Sequence, residues 1–438
     1  MNVTCFLTNW ISSRTVAVLC CAIAFTFVTN LPARTDEVLR AGVASCDITP
    51  TKPVTLAGYG ARKGLSQGVH DPLSARVLAF EQGGKRLVLV STDLIGFYSG
   101  TAEVVRKAIL AECRLEPSEL FLCGIHTHSA PTLVLAGSEA HANNIEYTEW
   151  LTHRLVGVVR EALGRATPAR IGFGSGASPV GINRRQVAVD KAGKRQIRLG
   201  RNPDTLTDRE VQVLKVARVE NGEPAAILFA YGTHSTSLGG KNLIVSGDVH
   251  GLAEQFVEKH LGGGVVAPAF AGASGNVDPW CRVLPEFKTA NGWIPEPVLL
   301  GTLLGEEVVD VSNAIRDLAA KGPVATAMKT VDLPRKTLDE AQKKATRILS
   351  AFNVTVGRVG DVAFVGLGGE VFNEIGKAIK AASPFPHTIV MTHCNGAGGY
   401  VPTKQSYDDG GYEVNTSPFL PTAAEQLTQE AVRLLRRL

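Results

Sequence analysis

From Ala41 to the end of the chain, short apolar runs alternate with longer stretches whose apolar residues recur every three or four positions. This alternation limits the fold more than any other feature. The strand-like runs are Arg86 to Ser91, Leu120 to Ile125, Arg170 to Phe173, Val211 to Val219, Ala225 to Tyr231, Val265 to Phe270, Val324 to Val331, Val354 to Val359, Val362 to Gly366 and His387 to Thr392. Helical spacing marks Ala102 to Cys113, Tyr147 to Leu163, Val249 to His260, Val298 to Leu318, Leu338 to Ala351, Val371 to Ala382 and Ala423 to Leu438. The pattern predicts an α/β fold: mainly parallel mixed sheets flanked by helices, with the active site at the C-terminal ends of the strands. At 438 residues and 45% hydrophobic content the chain can bury a large core, which argues against disorder.

The formal charge of +4 is small for this length, and Lys and Arg are scattered rather than gathered into runs with interleaved aromatics. Nothing in this pattern points to a nucleic-acid partner. Residues 1–33 differ from the rest: Arg14 is their only charge, and Thr15 to Val28 is an apolar run too short to span a bilayer comfortably. They read as a signal peptide or an uncleaved N-terminal anchor, which predicts a secreted or periplasmic protein with its functional domain at 41–438. Of the eight cysteines, Cys5, Cys20 and Cys21 lie in that segment. Cys46, Cys113, Cys123, Cys281 and Cys394 remain, an odd set without a CxxC pair. That excludes a disulfide scaffold and a thiolate zinc site, while an oxidising compartment permits a bridge such as Cys113 to Cys123.

Polar residues accumulate where the strand-like runs end. Asp93 follows the run at 86–91, His126 and His128 follow 120–125, and His234 follows 225–231 in YGTHSTS. Asn276 and Asp278 follow 265–270 in GASGNVDP, Glu370 follows 362–366 in GLGGE, and Tyr400 follows 387–392 in NGAGGY. In a sheet of parallel strands these endings share one edge, and together they predict one site. Glycines crowd the same loops, at 272–275, 366–369 and 396–399, where backbone can approach a ligand closely. Two histidines at i and i+2 on an extended strand end point to the same side. His126, His234 and Glu370 form a His2Glu set, a zinc arrangement that leaves a position open, and Tyr400 is a less common fourth ligand as phenolate. Zinc-bound water is acidic enough to act near neutral pH and the metal polarises a carbonyl, so hydrolysis follows.

At these residues the sequence resembles the neutral (non-lysosomal) ceramidases, zinc amidases that cleave the N-acyl bond of ceramide. The likeness lies in GIHTHSAPT, in YGTHSTS followed by Ser246-Gly247-Asp248, in GLGGE, and in NGAGGYVPTKQSYDDGGYE, which places Tyr400 and Tyr412 twelve apart. The resemblance implies Zn2+ held by His126, His234, Glu370 and Tyr400. It also implies substrate or transition-state contacts from His128, from Arg184 in GINRR and from Tyr412. Where the family carries its active serine in a GDVSP segment, this chain reads Gly275-Asn276-Val277-Asp278-Pro279. A carboxylate there is suited to orienting or deprotonating the zinc-bound water, or else to tying down its own loop through the Asp-Pro turn.

The end at Leu438 leaves no room for the family's C-terminal immunoglobulin-like domain, so the expectation is a short bacterial-type relative that lacks it. The resemblance thus implies a zinc-dependent hydrolase of an amide bond, acting on a small-molecule N-acyl substrate. A lipid substrate would add peripheral membrane contact. Two alternatives stand beside it. One is an amidohydrolase-type (β/α)8 barrel, a metal hydrolase of another substrate class, in which an HxH also ends a strand. The other is a secreted zinc-containing binding protein without catalysis, against which the intact His128, Arg184 and Tyr412 argue.

Overall fold

The apolar runs pair into two sheets stacked face to face in the computed structural model, which describes residues 38–98, 100–137, 140–281, 296–320, 322–336 and 352–438. The N-terminal segment 1–33 and the helical reading Leu338 to Ala351 lie outside the described residues. With strands numbered along the chain, the larger sheet has eight. Their order is β12 (Ala269–Ala271), β10 (Pro224–Tyr231), β9 (Glu210–Arg218), β6 (Thr167–Ala177), β1 (Arg40–Asp47), β3 (Ser74–Gln82), β4 (Lys85–Thr92) and β5 (Leu120–Gly124). The smaller has four, β14 (Val324–Val331), β15 (Phe352–Val359), β16 (Val362–Leu367) and β18 (His387–Met391). A three-stranded sheet, β13 (Val277–Pro279), β7 (Gly181–Val189) and β8 (Arg195–Asn202), lies beside the site. Two short pairs complete the set: β2 (Gly68–Val69) with β11 (Ile244–Val245), and β17 (Glu370–Val371) with β19 (Tyr400–Val401).

Successive strand residues face opposite ways, so a strand buried on both faces reads as a continuous apolar run. On β4, Val88 and Val90 pack with the core under α1 (Thr101–Cys113) and α2 (Ala142–Gly164). Leu87 and Leu89 turn the other way and meet Phe364, Ile389 and Met391 of the smaller sheet. The other half of the larger sheet's outer face is covered by α3 (Asp248–Leu261) and α4 (Glu296–Ala314), through Val249, Val257, Leu300 and Leu304. Over the smaller sheet lie α5 (Asn373–Ala382) and α8 (Ala423–Leu435), through Ile375, Ile379, Leu427 and Leu434. The layers run helix, sheet, sheet, helix, which leaves no (β/α)8 barrel.

Mixed sheets flanked by helices are what the sequence predicts, but the balance of pairing differs. Parallel pairs are confined to β4–β5 and β10–β12 in the larger sheet and to β16–β18 in the smaller. The other pairs of both sheets are antiparallel. The physical reason is that hairpins replace crossover helices. β3 and β4, for instance, join through Gly83 and Gly84, both with positive φ (57° and 71°), the requirement of a tight type I′ turn. The three parallel pairs matter most, because their C-terminal ends lead into the loops that carry the site.

Where the sheets meet, Gly366 of β16 lies against Phe121 of β5. A Cβ there would collide with Cys394 Sγ and sit 3.0 Å from Phe121 Cδ1. Overfilling a close-packed core forces side chains off their rotamers. Gly366→Ala should therefore lower unfolding free energy by about 1–3 kcal/mol, read from urea denaturation, and an unchanged midpoint would show slack between the sheets.

Candidate active site

The loop after β5 sets the centre. β5 ends at Gly124, before the two histidines, and His126 adopts φ 63°, a left-handed conformation unusual for a residue with a side chain. Its N–H donates to Leu94 O at 2.9 Å, and His128 N–H donates to Ser235 O at 3.0 Å. The strand-end argument for a shared side is thus replaced by a turn. The turn still brings the rings together, with centroids 4.9 Å apart and Nε2 atoms 3.3 Å apart.

Backbone carbonyls fix two imidazoles. His126 Nδ1 donates to Ile95 O at 2.8 Å, and His234 Nδ1 donates to Ser274 O at 2.8 Å and Val277 O at 3.0 Å. Each ring therefore carries its proton on Nδ1 and turns the Nε2 lone pair inward. Glu370 Oε2 lies 3.5 Å from both of these Nε2 atoms and is buried without a hydrogen-bond partner. Its other oxygen accepts from the Tyr98 hydroxyl at 3.3 Å. The β17–β19 pairing sets Tyr400 directly beside Glu370. The donor atoms of His126, His128 and His234 all lie within 4.8 Å of one another, a group able to hold a metal ion.

The electrostatics suit a cation. Burial, then the neighbouring His126 and His234, hold His128 well below the usual imidazole range. Burial and the Arg184 charge lower His234. Burial opposes ionisation of Glu370, but the neighbouring His126 and His234 outweigh it and hold its carboxyl well below the carboxylate range. The site thus sets the inward-facing Nε2 atoms of His126 and His234 against a carboxylate whose inner oxygen is unsatisfied, a set of donors suited to a metal ion.

Arg184 of β7 forms the opposite wall. Its guanidinium donates to Glu413 at 2.7 Å, to Asp278 at 3.2 Å, to the Tyr400 hydroxyl at 3.0 Å and to His234 Nε2 at 3.2 Å. Asp278 is fully buried and also meets Arg201 at 3.5 Å. Tyr412, at the start of α7 (Tyr412–Thr416) after α6 (Lys404–Asp409), is partly exposed and lies edge-on to Tyr400, with centroids 5.8 Å apart. A pocket of about 190 Å³ lined by Leu56, Gly58, Tyr59, Ile95, Tyr98 and Leu133 among others borders the centre.

The structure thus brings together His126, His128, His234, Glu370, Tyr400, Arg184, Asp278 and Tyr412. Two strand-end residues go elsewhere. Asp93 accepts from Ser74 and faces Arg76 in an ion cluster with Glu254, and Asn276 ties its loop to Asn373 and Glu374. A Cys113–Cys123 bridge is also ruled out, because the two side chains belong to cores on opposite faces of the larger sheet.

Sequence reading missed His393, whose ring stacks on His126 at 3.7 Å with both nitrogens unpartnered. It follows β18, so the strand-end rule would have found it. Glu413, next to Tyr412, bonds both Arg184 and Arg185. Tyr98 gave no local signal.

Fold and site define a four-layer α/β sandwich with a buried histidine cluster able to hold a metal ion. The family pattern described as neutral/alkaline non-lysosomal ceramidase, N-terminal, matches residues 39–279, and the chain belongs to that family. It is 27% identical over 295 residues to a neutral ceramidase of Pseudomonas aeruginosa, covering 63% of this chain and 42% of that protein. It is 27% identical over 238 residues to neutral ceramidase A of Dictyostelium discoideum, covering 52% of this chain and 33% of that one. The matched stretches take up 42% and 33% of these relatives' own lengths. The crystal structure of the P. aeruginosa neutral ceramidase shares the fold, with a TM-score of 0.72 and 20% identity over 92% of this chain and 75% of that one.

Behind the site His250 receives a hydrogen bond from Ser235 Oγ (2.8 Å) and donates to Tyr231 O (3.1 Å), and burial lowers its pKa to about 4. Because the folded-state value lies below the unfolded one, the unfolded chain binds the extra proton. Stability from the neutral ring is complete above pH ~6.5 and is lost as pH falls toward 4. The gap in unfolding free energy between the parental protein and His250→Gln should narrow by about 2 kcal/mol between about pH 7.5 and pH 5. A gap independent of pH would contradict a neutral buried His250.

Proposed function

We propose that this chain is a zinc-dependent amidase of ceramidase type that hydrolyses the amide bond of a small N-acyl substrate, lipids included, in a secreted or periplasmic setting. One observation carries the reading. Two imidazoles with protons fixed on Nδ1, and a carboxylate oxygen with no other partner, aim at a common point. His126, His234 and Glu370 would hold the zinc, with Tyr400 beside Glu370 as the fourth ligand. A bound zinc polarises a carbonyl and brings the pKa of water to about 7.

The remaining residues have work to do on the substrate. A ligating histidine nearly always donates its second ring nitrogen to a fixed acceptor, as His126 and His234 do. His128 Nδ1 has no such partner, which supports keeping His128 for the substrate. There its neutral ring can hold a proton or steady a developing oxyanion, next to the Arg184 charge. Tyr412, at the rim, can contact the amide, and the Leu56, Ile95 and Leu133 side chains of the bordering pocket suit a hydrocarbon group.

The assignment is tested by comparing two variants in dialysed protein. His126→Ala should lose most of its zinc. His128→Ala should keep it while turnover falls on the order of 10²-fold or more. Equal metal loss in both would make His128 a ligand instead. The parental protein should cleave members of a panel of N-acyl lipids, N-acyl amino acids and N-acetylated sugars, and a chelator should abolish this. A zinc-loaded protein inert toward every member would favour the binding-protein reading.

Asp278 in this proposal takes a proton during the reaction. Its contacts to Arg184 and Arg201 favour a second reading, in which it only holds Arg184 in place. Asp278→Asn separates them. A proton acceptor predicts normal zinc content and a loss on the order of 10²-fold or more, whereas turnover near the parental rate removes Asp278 from the mechanism.

A further inference from the structure

Cys123 of β5 and Cys394, three residues beyond β18, face each other at the seam between the two sheets. An isolated antiparallel bridge pairs them. Its hydrogen bonds run from Asn395 N–H to Leu122 O at 2.8 Å and from Gly124 N–H to His393 O at 3.4 Å, flanking the cysteines rather than joining them. This is the non-hydrogen-bonded position of antiparallel pairing, where facing Cα atoms stand about 4.5 Å apart and side chains are closest. Disulfides span Cα separations of about 4.4–6.8 Å. The Asn395 side chain fixes the register, accepting from Leu122 N–H at 2.9 Å and donating to Leu120 O at 2.7 Å. Both cysteines are buried, and Gly366 leaves room for the Cys394 sulfur.

We propose that Cys123 and Cys394 are a cross-linking site that closes to a disulfide, tying the larger sheet to the smaller directly behind the histidine cluster. Cys123 lies three residues before His126, and Cys394 follows His393, which stacks on His126. The bond therefore fixes the two loops that present these rings. The oxidant is a low-molecular-weight disulfide. One cysteine thiolate attacks it, forming a mixed disulfide and releasing one small thiolate. The second cysteine thiolate then attacks the protein sulfur of that mixed disulfide and releases the other. Two protein thiols become one disulfide, and their two electrons and two protons reduce the small disulfide to two thiols. Burial raises the Cys123 thiol, so exchange belongs to the stage of folding when the seam is still open.

The test uses the full chain, refolded in a buffer of oxidised and reduced glutathione, alkylated under denaturing conditions, digested without reduction and mapped by mass spectrometry. A Cys123–Cys394 linked peptide is expected, with neither thiol alkylated. Reduction should lower the thermal midpoint on the order of 5 °C, and the midpoint of Cys394→Ala should not respond to reductant. If that variant does not fold, the map of the parental chain decides alone. Recovery of both residues as alkylated thiols, or of either linked to Cys46, Cys113 or Cys281, overturns the proposal. Neither readout depends on a metal, so the outcome is independent of the zinc assignment.

Discussion

The face-to-face contact of the two sheets is the interaction on which the rest depends. Phe121, Leu87 and Leu89 from the larger sheet pack against Phe364, Ile389 and Met391 from the smaller. No single sheet carries the site. His126 and His234 follow strands of the larger sheet, while Glu370, His393 and Tyr400 follow strands of the smaller. A shift of one sheet over the other would open the 3.5 Å approach of Glu370 to both imidazoles. Close-packed interiors do not slide continuously, so an apolar seam is an effective way to hold a polar geometry.

That geometry is held against local preference. His126, Asp248, His393 and Asn395 all adopt positive φ without being glycine. Residues forced into sparsely populated backbone regions cost of order 1–3 kcal/mol each and persist only where their surroundings over-determine them. The over-determination is visible. His126 is fixed at its backbone N–H and its Nδ1, Asp248 accepts from Ser237 Oγ at 2.6 Å and Val249 N–H at 2.8 Å, and Asn395 spans Leu120 and Leu122. Three of the four lie at the ends of β5 and β18, where the sheets meet.

What the sequence made legible follows from this arrangement. Strands buried on both faces, such as β4, β5, β10 and β16, read directly as apolar runs, and the motifs after them carried the candidate ligands. β3 was invisible because Arg76 interrupts it. Arg76 is buried only because Glu254 and Glu258 reach it from α3, at 2.5 and 2.7 Å. Partners so distant in sequence leave no local trace, and the same cluster explains why Asp93 looked like a site residue and is not. β8 was missed for the opposite reason: its residues are all partly or wholly exposed, so no apolar face marks it.

The departure at Asp278 has its own physical context. Arg185, Glu413, Arg184, Asp278 and Arg201 form a row in which each charge is flanked by opposite charges: Arg185 to Glu413 at 2.9 Å, Glu413 to Arg184 at 2.7 Å, Arg184 to Asp278 at 3.2 Å, and Asp278 to Arg201 at 3.5 Å. Breaking a buried pair by removing one member leaves an uncompensated charge, which costs far more than the intact pair contributes. A serine at 278 would leave Arg184 and Arg201 without their shared carboxylate. Arg184 would then keep Glu413 as its only carboxylate, beside Tyr400 and His234, and the wall facing the imidazoles would carry an extra positive charge where a cation is to be held. In this chain position 278 is coupled to Arg201 on β8, and the two must be considered together as one electrostatic unit.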